Sequence, residues 1–248
     1  MMKCNLRYYI LLVVLLLFVL QASTICYAQI TSAKITYERR TNLYKKFKWS
    51  KDVKEWLNED DKNKIDKFEL FFNDSLSMYK PYDDGLVEKM NWATTKSVVY
   101  QNFKTKTRLT DKKIWSEHLL VTDSVRVFKW KITDGKKNIA GYVCHKAIWV
   151  ANDSIKLYAW YCNEIMPSVG PESITGLPGA ILGVATEDGG VVYFAKSIEI
   201  GKQEQNTLLP PKTKQKIYKN KELKAQLEKD YGKEKWGKAM IYNNFEIW

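Results

Sequence analysis

The chain has 248 residues, 45% of them hydrophobic and 13% aromatic, and 40 lysines and arginines against 28 acidic residues give it a formal charge of +12. This length fits one domain with an ample core, and no apolar run of membrane-spanning length occurs beyond the N-terminus, which excludes a transmembrane helix there. The charge is compatible with anionic partners such as lipopolysaccharide, acidic glycans or a membrane leaflet, and equally with simple solubility.

The N-terminus predicts a secretory signal peptide over residues 1–28. A short basic start precedes an apolar run at 8–20, and Cys26 and Ala28 supply small residues before the cleavage point. Lipidation at Cys26 is an alternative, although Ile25 is large for the residue before a lipidated cysteine. We therefore expect secretion across the inner membrane, with the mature protein in the periplasm or associated with the outer membrane.

Alternating apolar and polar residues predict a β meander over the first half of the mature chain. Ile35 and Tyr37 lie on one face of the first strand. The predicted elements are a strand at 30–40, a loop and short helix at 45–59, a hairpin at 68–79, a loop at 81–85, strands at 98–103, 105–109, 113–121 and 125–132, and turns at 122–124 and 134–137.

A hairpin of 141–150 and 155–162 places the two mature cysteines opposite each other. With Asp153 at the centre of the loop, Cys144 faces Cys162. Opposed residues of an antiparallel pair lie about 4.5–5.5 Å apart at Cα, a separation that a disulfide can span. We therefore predict a disulfide between Cys144 and Cys162, which suits an oxidising compartment. A register shifted by one residue would place them on opposite faces.

The usual catalytic and metal-binding motifs are missing from the sequence. His145 follows Cys144, but neighbouring strand residues point to opposite faces and cannot form a dyad. Cys144, Cys162 and His118 are an alternative soft-metal set, in competition with the disulfide. We expect no metal, no cofactor and no nucleic-acid partner.

Prolines and glycines are concentrated in the segment after this hairpin, residues 163–179, which we call the Gly/Pro corner. Gly170-Pro171 and Leu177-Pro178-Gly179 predict two rigid turns, the second of type II, before a buried strand that starts at Ala180. One interpretation is a rigid connection between strands, and the other is a docking edge or ligand rim. On the second interpretation the predicted binding residues are Trp149, Trp160, Tyr161, Gly170, Pro171, Gly176, Leu177, Pro178 and Gly179.

The C-terminal part predicts another strand at 192–200, with Val192, Phe194, Ile198 and Ile200 on one face, and then a basic segment at 201–248. Asn220 can cap a helix that presents Leu223 and Leu227 on one stripe. The apolar end, 240–248, fits a last strand or an anchor. We expect residues 201–248 to pack on the β domain formed by 29–200.

Several of these motifs together resemble the GLPGLI family of secreted Bacteroidetes proteins. The resemblance is strongest over about residues 128–200, and Ala180 and Cys162 depart from the family pattern. The family is largely uncharacterised, so the resemblance supplies no catalytic residues; it implies a partner among outer-membrane uptake or surface systems. The motifs that carry it are Gly141-Tyr142, Cys144, Ala147, Trp160-Tyr161, Ile165, Pro167, Gly170-Pro171 and residues 176–182.

The predicted elements favour a mainly β protein with a large curved antiparallel sheet or half-open barrel and one or two peripheral helices. This shape is similar to that of periplasmic lipoprotein carriers. Short turns separate the strands without the spacing of βαβ units.

Three functional hypotheses follow from the sequence. The first is an exported, non-enzymatic envelope protein that binds a partner protein or an apolar or extended ligand such as a lipid or peptide. The second is an envelope hydrolase that uses two carboxylates near the corner, about 5–10 Å apart in a cleft. The third is a structural surface protein without a pocket. The carboxylates near the corner are Glu164, Glu172, Glu187 and Asp188.

Overall fold

The structure, a computed structural model, describes residues 8–14, 29–48, 50–86, 89–114, 117–152 and 155–245. Of the predicted signal peptide, only 8–14 fall within these ranges, where they are helical, so the predicted cleavage point lies outside the described residues. Among the described residues, no helix combines the length and apolar character needed to cross a membrane.

Twelve strands of the described residues form one sheet. They are β1 (Ala33–Asn42), β2 (Asn63–Phe72), β3 (Leu76–Pro81), β4 (Ser97–Asn102), β5 (Thr107–Ile114), β6 (Glu117–Ser124), β7 (Lys131–Ile139), β8 (Tyr142–Asn152), β9 (Ile155–Cys162), β10 (Ala180–Thr186), β11 (Val191–Ile200) and β12 (Ile217–Lys219).

Helices connect or flank these strands. The α-helices are α1 (Leu43–Lys46), α2 (Lys51–Trp56), α3 (Gln205–Leu208), α4 (Asn220–Tyr231) and α5 (Lys235–Phe245), and single 3-10 turns occur at Glu59–Asp61, Asn91–Ala93 and Pro171–Ser173.

The strand order is β12-β6-β5-β4-β3-β2-β1-β11-β10-β9-β8-β7, with β7 and β12 at the two open edges. β1 pairs with β2 on one side and with β11 on the other, so two meanders meet at the first strand. All the pairings are antiparallel except that of β12 with β6. The predicted mainly β, antiparallel fold is confirmed.

We call the face of the sheet that carries Ile35 and Tyr37 of β1 the inner face. In the register of β1 and β2, Ile35 lies opposite Leu70 and Tyr37 opposite Phe68. All four side chains are fully or almost fully buried. Because strand residues alternate between faces, this row of cross-strand apolar pairs builds the main core on the inner face.

The C-terminal helices bury a second, smaller core against β5 and β6. The predicted helix is present as α4, with Lys219 rather than Asn220 at its N-cap. The predicted last strand is wrong, because residues 240–245 belong to α5. The core side chains are Ile114, Val121, Leu223, Leu227, Ile241 and Phe245.

Two further predictions around β7 are wrong. Residues 125–130 are not in a strand, and the predicted turn at 134–137 lies within β7. The register of β7 against β8 shifts between Ile132 and Lys136, and a Cβ added at Gly135 would lie 3.1 Å from the Cβ of Lys146. Glycine here therefore permits a close strand approach at a bulge instead of ending the strand.

A bulge also reverses the predicted faces of β11. The register against β1 shifts between Thr36 and Tyr37, which leaves Lys196 unpaired. Consequently Tyr193 and Ala195 are buried, whereas Phe194 is half-buried. The extra residue moves the side chains beyond it to the other face of the strand, while the sequence continues to alternate. Hydrophobic periodicity alone therefore does not reveal the bulge.

The hairpin of β8 and β9 has the predicted register. Lys146 lies opposite Trp160, Ile148 opposite Tyr158, and His145 opposite Tyr161, the pair next to the two cysteines. Both cysteines are buried free thiols in the structure, so the predicted disulfide is not formed in it. The Sγ of Cys144 lies 3.6 Å from the carbonyl oxygen of Tyr142. Burial raises the pKa of Cys144 to about 12, which keeps this thiol protonated.

The Gly/Pro corner delivers the chain to β10 through a turn tighter than the predicted type II. Gly179 N–H donates to the carbonyl oxygen of Leu177 at 2.8 Å, a bond across three residues, and Ala180 N–H donates to Ile165 at 2.8 Å. Gly179 has φ +137°, and a Cβ there would lie 2.0 Å from the carbonyl oxygen of Cys162. No other residue fits this position without displacing the backbone.

We predict that the opposed cysteines oxidise on export. Protein purified after secretion and denatured without reductant should take up no thiol label, and after reduction Cys144 and Cys162 should both be labelled, as shown by intact mass. A Cys162→Ser variant, which leaves one thiol, is the control for complete labelling. Two labels on the unreduced denatured protein would contradict the disulfide.

Gly179→Val should lower the free energy of unfolding by about 3–5 kcal/mol, since steric overlap adds to backbone strain. Gly189→Val is the matched control, because Gly189 also has a positive φ, +66°, but has nothing within 4 Å of an added Cβ. Denaturant unfolding of both variants measures the difference. If both variants lost the same free energy of unfolding, steric overlap with the carbonyl oxygen of Cys162 would not contribute to the loss.

Candidate functional site

The inner face changes from apolar to polar along β1 and β2. Beyond Tyr37, β1 continues inward with Arg39 and Thr41, which lie opposite Asp66 and Lys64 of β2. All four polar residues are at least nine-tenths buried. The alternation that builds the core therefore also carries charged side chains into the interior.

Asp66 is the centre of a buried group of charges. Arg39 donates to its Oδ2 from Nη2 at 2.8 Å and from Nε at 3.3 Å, and Thr94 Oγ1 donates to the same oxygen at 2.9 Å. The ammonium groups of Lys64 and Lys96 lie 2.9 Å and 3.4 Å from Oδ1. Several cations thus surround one carboxylate, an arrangement in which each buried charge depends on its partners.

The Gly/Pro corner adds a second carboxylate to this group. Glu172 and Ser173 have φ values of 50° and 67°, a strained conformation for residues other than glycine. Arg39 Nη1 donates to Glu172 Oε1 at 3.1 Å, and the Tyr193 hydroxyl donates to the same oxygen. Arg108 Nη1 donates to Ser173 Oγ at 2.9 Å. The strained turn therefore directs both side chains toward the polar half of the inner face.

Burial and charge set the protonation of this group. Burial alone would raise the pKa of Asp66, but Arg39 and Lys64 lower it to about 2. Burial raises the pKa of Tyr193 well above its usual value, an effect that Arg39 opposes and Glu172 reinforces. At neutral pH Asp66 is therefore ionised, and the Tyr193 hydroxyl remains a hydrogen-bond donor.

A cavity of about 710 Å³ lies beside this group. The volume is within the usual range of small-molecule sites. β1, α1 and α5 supply most of its charged lining, in which six cations face one carboxylate. These residues are Arg39, Lys45, Lys46, Lys48, Lys235, Lys238 and Asp188.

The pKa of Lys46, a lysine of this larger cavity, is strongly lowered. Burial, followed by the charge of Arg39, lowers its pKa to about 8, although Glu172 and Asp66 act in the opposite direction. Like charges held together in a partly dry cavity favour a bound anion, which would compensate them.

A second cavity, of about 90 Å³, lies where the corner approaches β4 and β5. Thr95 lines both cavities, and Arg39, in the wall of the larger one, holds Glu172, in the wall of the smaller one. The charged and hydroxyl side chains of the smaller cavity include Arg108, Thr110, Lys112, Arg126, Glu172 and Ser173.

The predicted aromatic binding residues do not line these cavities, although Trp149 packs on Phe128, which lines the smaller one. Trp149 is half-buried, with its ring 5.0 Å from that of Phe128, and Trp160 is half-buried at 5.6 Å from Phe194. Tyr161 is buried. None of the three predicted residues lines either cavity, so their part in binding stays a prediction.

The predicted corner residues support the smaller cavity without lining it. Gly170, Pro171, Leu177 and Gly179 are buried, whereas Gly176 and Pro178 are exposed. The corner residues that do line the cavity are Glu172, Ser173 and Ile174, between the two predicted turns. The predicted turns thus hold a short segment of which the sequence analysis named only Glu172, as a candidate carboxylate.

The four carboxylates named in the hydrolase hypothesis lie in separate places. Glu172 lines the smaller cavity and Asp188 the larger one. Glu187 pairs with Lys156 at 2.9 Å, and Glu164 is exposed. Neither cavity brings two of these four together. Among the described residues, no group of three or more histidine, cysteine, aspartate or glutamate side chains is arranged to hold a metal ion.

Sequence reasoning missed Arg39, Asp66 and Arg108. For Arg39 a signal was present, because the alternation that buries Ile35 and Tyr37 continues to residue 39. An arginine at an inward strand position indicates a buried ion pair or a site.

Comparisons with known proteins concern the fold. No family model and no curated protein matches the chain. The structure is similar to that of PNGF-II in its C2 crystal form, with a TM-score of 0.53 and 16% identity over 86% of this chain and 33% of that one. The chain therefore spans about a third of the length of PNGF-II.

Two further solved structures match less well. An uncharacterised conserved protein from Thermus thermophilus has a TM-score of 0.42 and 7% identity, covering 77% of this chain and 91% of its own. MucB has a TM-score of 0.40 and 9% identity, covering 75% and 59%.

Asp66→Asn should lower the free energy of unfolding at pH 7 by about 3–5 kcal/mol, because three cations would lose their shared carboxylate. The depressed pKa of Asp66 stabilises the folded protein above the unfolded pKa of about 4, and this contribution is lost as the pH falls toward about 2. The difference between wild type and variant should therefore shrink over that interval.

Asp74→Asn, in the exposed β2–β3 turn, is the control and should change stability by less than about 0.5 kcal/mol. Urea unfolding from pH 7 to pH 2 measures both variants. A constant difference between wild type and Asp66→Asn across this range would contradict the ion cluster.

Proposed function

We propose that this chain is an exported cell-envelope protein that binds a polyphosphorylated ligand of small-molecule size in the larger cavity and performs no chemical reaction on it. The observation that carries the proposal is the lining of that cavity, where six cations face Asp188 as the one carboxylate. Membership in the GLPGLI family and location in the periplasm or at the outer membrane are part of the proposal, supported by the sequence motifs and the signal-like N-terminus.

The lining favours a multiply charged anion over the apolar ligand expected from the sequence. Lysines 45, 46 and 48 lie on or beside one short helix, and Lys235 and Lys238 lie one turn apart on α5. An anion placed between these two segments would interact with both. Arg39 forms the inner wall, but its five N–H groups already donate to Asp66, Glu172, Tyr193 and Thr95, so it contributes charge rather than a direct hydrogen bond to the ligand.

A bound phosphate group would also compensate the positive charge of the lysines in the cavity. Without an anion, burial and then the charge of Arg39 lower the pKa of Lys46 to about 8. Binding of a polyanion favours the protonated form of Lys46, and by linkage the protonated form binds the anion more tightly.

Inositol hexakisphosphate should bind the purified protein with 1:1 stoichiometry in isothermal titration calorimetry, with an affinity that falls steeply with salt. A Lys46→Ala/Lys238→Ala variant should bind at least about tenfold more weakly, since each lost charged contact costs about 1.5 kcal/mol or more. Lys104→Ala, which removes an exposed cation from the β4–β5 turn, should bind like wild type.

Vesicles containing phosphatidic acid form the second arm of the experiment and distinguish a lipid headgroup from a free polyphosphate. Tighter binding of the vesicles than of inositol hexakisphosphate would identify a lipid headgroup as the source of the phosphate. Equal loss of binding in the Lys104→Ala variant, or no saturable binding of either probe, would contradict the proposal.

The pH dependence of binding provides a separate test of the cavity. Affinity should fall between pH 7 and pH 9 as Lys46 deprotonates around its pKa of about 8. Lys46→Arg keeps its charge throughout this range and should bind with a flatter profile. Identical profiles for wild type and Lys46→Arg would show that Lys46 is not in contact with the anion. The charged groups acting on Lys46 or sharing its cavity are Arg39, Lys45, Lys48, Asp66, Glu172, Asp188, Lys235 and Lys238.

A further inference from the structure

We propose that Arg108, Lys112 and Arg126, together with the N-terminus of α4, form a second binding site, for one compact oxyanion such as a phosphate or sulfate group. The site is the smaller cavity. It does not share a cation with the larger cavity, and the proposal does not depend on the function proposed for that cavity.

The strand β5 positions two of the three cations. Arg108, Thr110 and Lys112 are spaced two residues apart and line the same cavity. Arg126 enters from the segment that follows β6, and Ser173 from the Gly/Pro corner. Three separate parts of the chain thus converge on a volume of about 90 Å³.

Arg108 carries unused hydrogen-bonding capacity in this cavity. It is only 9% exposed, yet among the described residues its guanidinium donates only from Nη1 to Ser173 and from Nη2 to Asp123, at 2.9 Å and 3.3 Å. Its buried Nε has no protein partner among those residues. A guanidinium has five N–H donors, and a buried donor without an acceptor is costly. Nη1 and Nη2 each keep one further N–H, and an oxyanion in the cavity would accept from these.

The other two cations are bonded to neutral groups. Lys112 Nζ donates to the carbonyl oxygen of Asn244, and Arg126 Nη2 donates to that of Phe245 at 3.3 Å. These carbonyls orient the side chains but do not neutralise them. Each of the two cations keeps further donors for a ligand.

The carboxylates nearby cancel only part of this positive charge. Glu172 lines the cavity and its charge acts on Lys112, but it accepts hydrogen bonds from Arg39 and Tyr193. Asp123 pairs with one edge of Arg108 at 3.3 Å and is partly exposed. Burial lowers the pKa of Arg108, and the charge of Arg126 lowers it further, whereas Asp123 acts in the opposite direction.

The N-terminus of α4 adds a partial positive charge. Asn220, the first residue of this 12-residue helix, lines the cavity, and the N-cap residue Lys219 makes no side-chain capping bond. The first N–H groups of a helix favour an anion at this position. The helix end and the unpartnered Arg108 Nε are independent observations that point to the same kind of ligand.

The size of the cavity sets the class of ligand. The cavity volume of about 90 Å³ exceeds the roughly 10–15 Å³ that one water molecule needs on the same measure. A single phosphate or sulfate group fits this volume, whereas a nucleotide or sugar ring does not. Inositol hexakisphosphate, the probe for the larger cavity, is also too large to enter.

Titration of the full protein with inorganic phosphate, at constant ionic strength in chloride, tests the proposal directly. In ¹⁵N NMR spectra the Nε–H resonance of Arg108, assigned with an Arg108→Lys variant, should shift saturably with phosphate. Sulfate should compete, because the recognition is of oxyanion charge and shape. Acetate should bind more weakly, since it offers two oxygens instead of four.

Two variants report on the site without removing its most buried residue. Lys112→Met keeps the aliphatic stem and Arg126→Gln keeps a polar head group, and each should weaken phosphate binding about tenfold in calorimetry. Lys104→Met is the matched control on the exposed turn and should bind like wild type. If either site variant fails to fold, as judged by circular dichroism, the wild-type NMR titration still decides the question.

Three results would overturn the site: no saturable shift of the Arg108 resonance, unchanged phosphate affinity in both site variants, or loss of phosphate binding in Lys46→Ala/Lys238→Ala. The third result would place the anion in the larger cavity. Binding of phosphate without binding of inositol hexakisphosphate would support this site and contradict the proposed function separately.

Discussion

The ion pair between Arg39 and Asp66 is the interaction on which the inner face depends. Asp66 accepts two hydrogen bonds from Arg39, while the same guanidinium reaches Glu172 of the Gly/Pro corner. One side chain thus joins the first strand, the second strand and a segment more than 100 residues later. A buried ion pair contributes little net stability unless all its partners are in place. The role of this pair is to hold the segments that it joins in position. It fixes the corner against the sheet and sets the wall between the two cavities.

The polar half of the inner face lowers the stability that the apolar half provides. The apolar half of β1 and β2 forms the core, and the polar half carries strained backbone at Glu172 and Ser173, an arginine with an unused donor, and lysines with lowered pKa values. Each of these features costs stability in the empty protein. Their concentration in one region is the physical reason to place the ligand sites there.

The sequence predicts the architecture well where a periodicity of two is unbroken. The first strand, the hairpin of β2 and β3, and the register of β8 against β9 all follow from alternation and loop length. Bulges break this alternation. One extra residue at Lys196 reverses the faces of β11, and Gly135, which predicts a turn, lies at a bulge within β7. The C-terminal helix α5 is missed because its apolar residues alone do not distinguish a short helix from a strand.

The site is harder to predict than the fold, because its residues are distant in sequence. Arg39, Asp66, Glu172 and Arg108 meet only through long-range strand pairing and a corner that folds over the sheet. The sequence identified the corner as rigid, but emphasised its glycines, prolines and flanking aromatic residues. The polar residues between the turns line the smaller cavity. The rigid turns therefore position the polar side chains that lie between them.

Helix α5 contributes to both cavities, with Lys235 and Lys238 in one and Asn244 in the other. It is also the last described element of the chain. Loss of α5 would leave the main core complete, but it would remove Ile241 and Phe245 from the second core and part of the lining from both cavities. The binding proposed for the two cavities would therefore depend on a helix that lies outside the sheet.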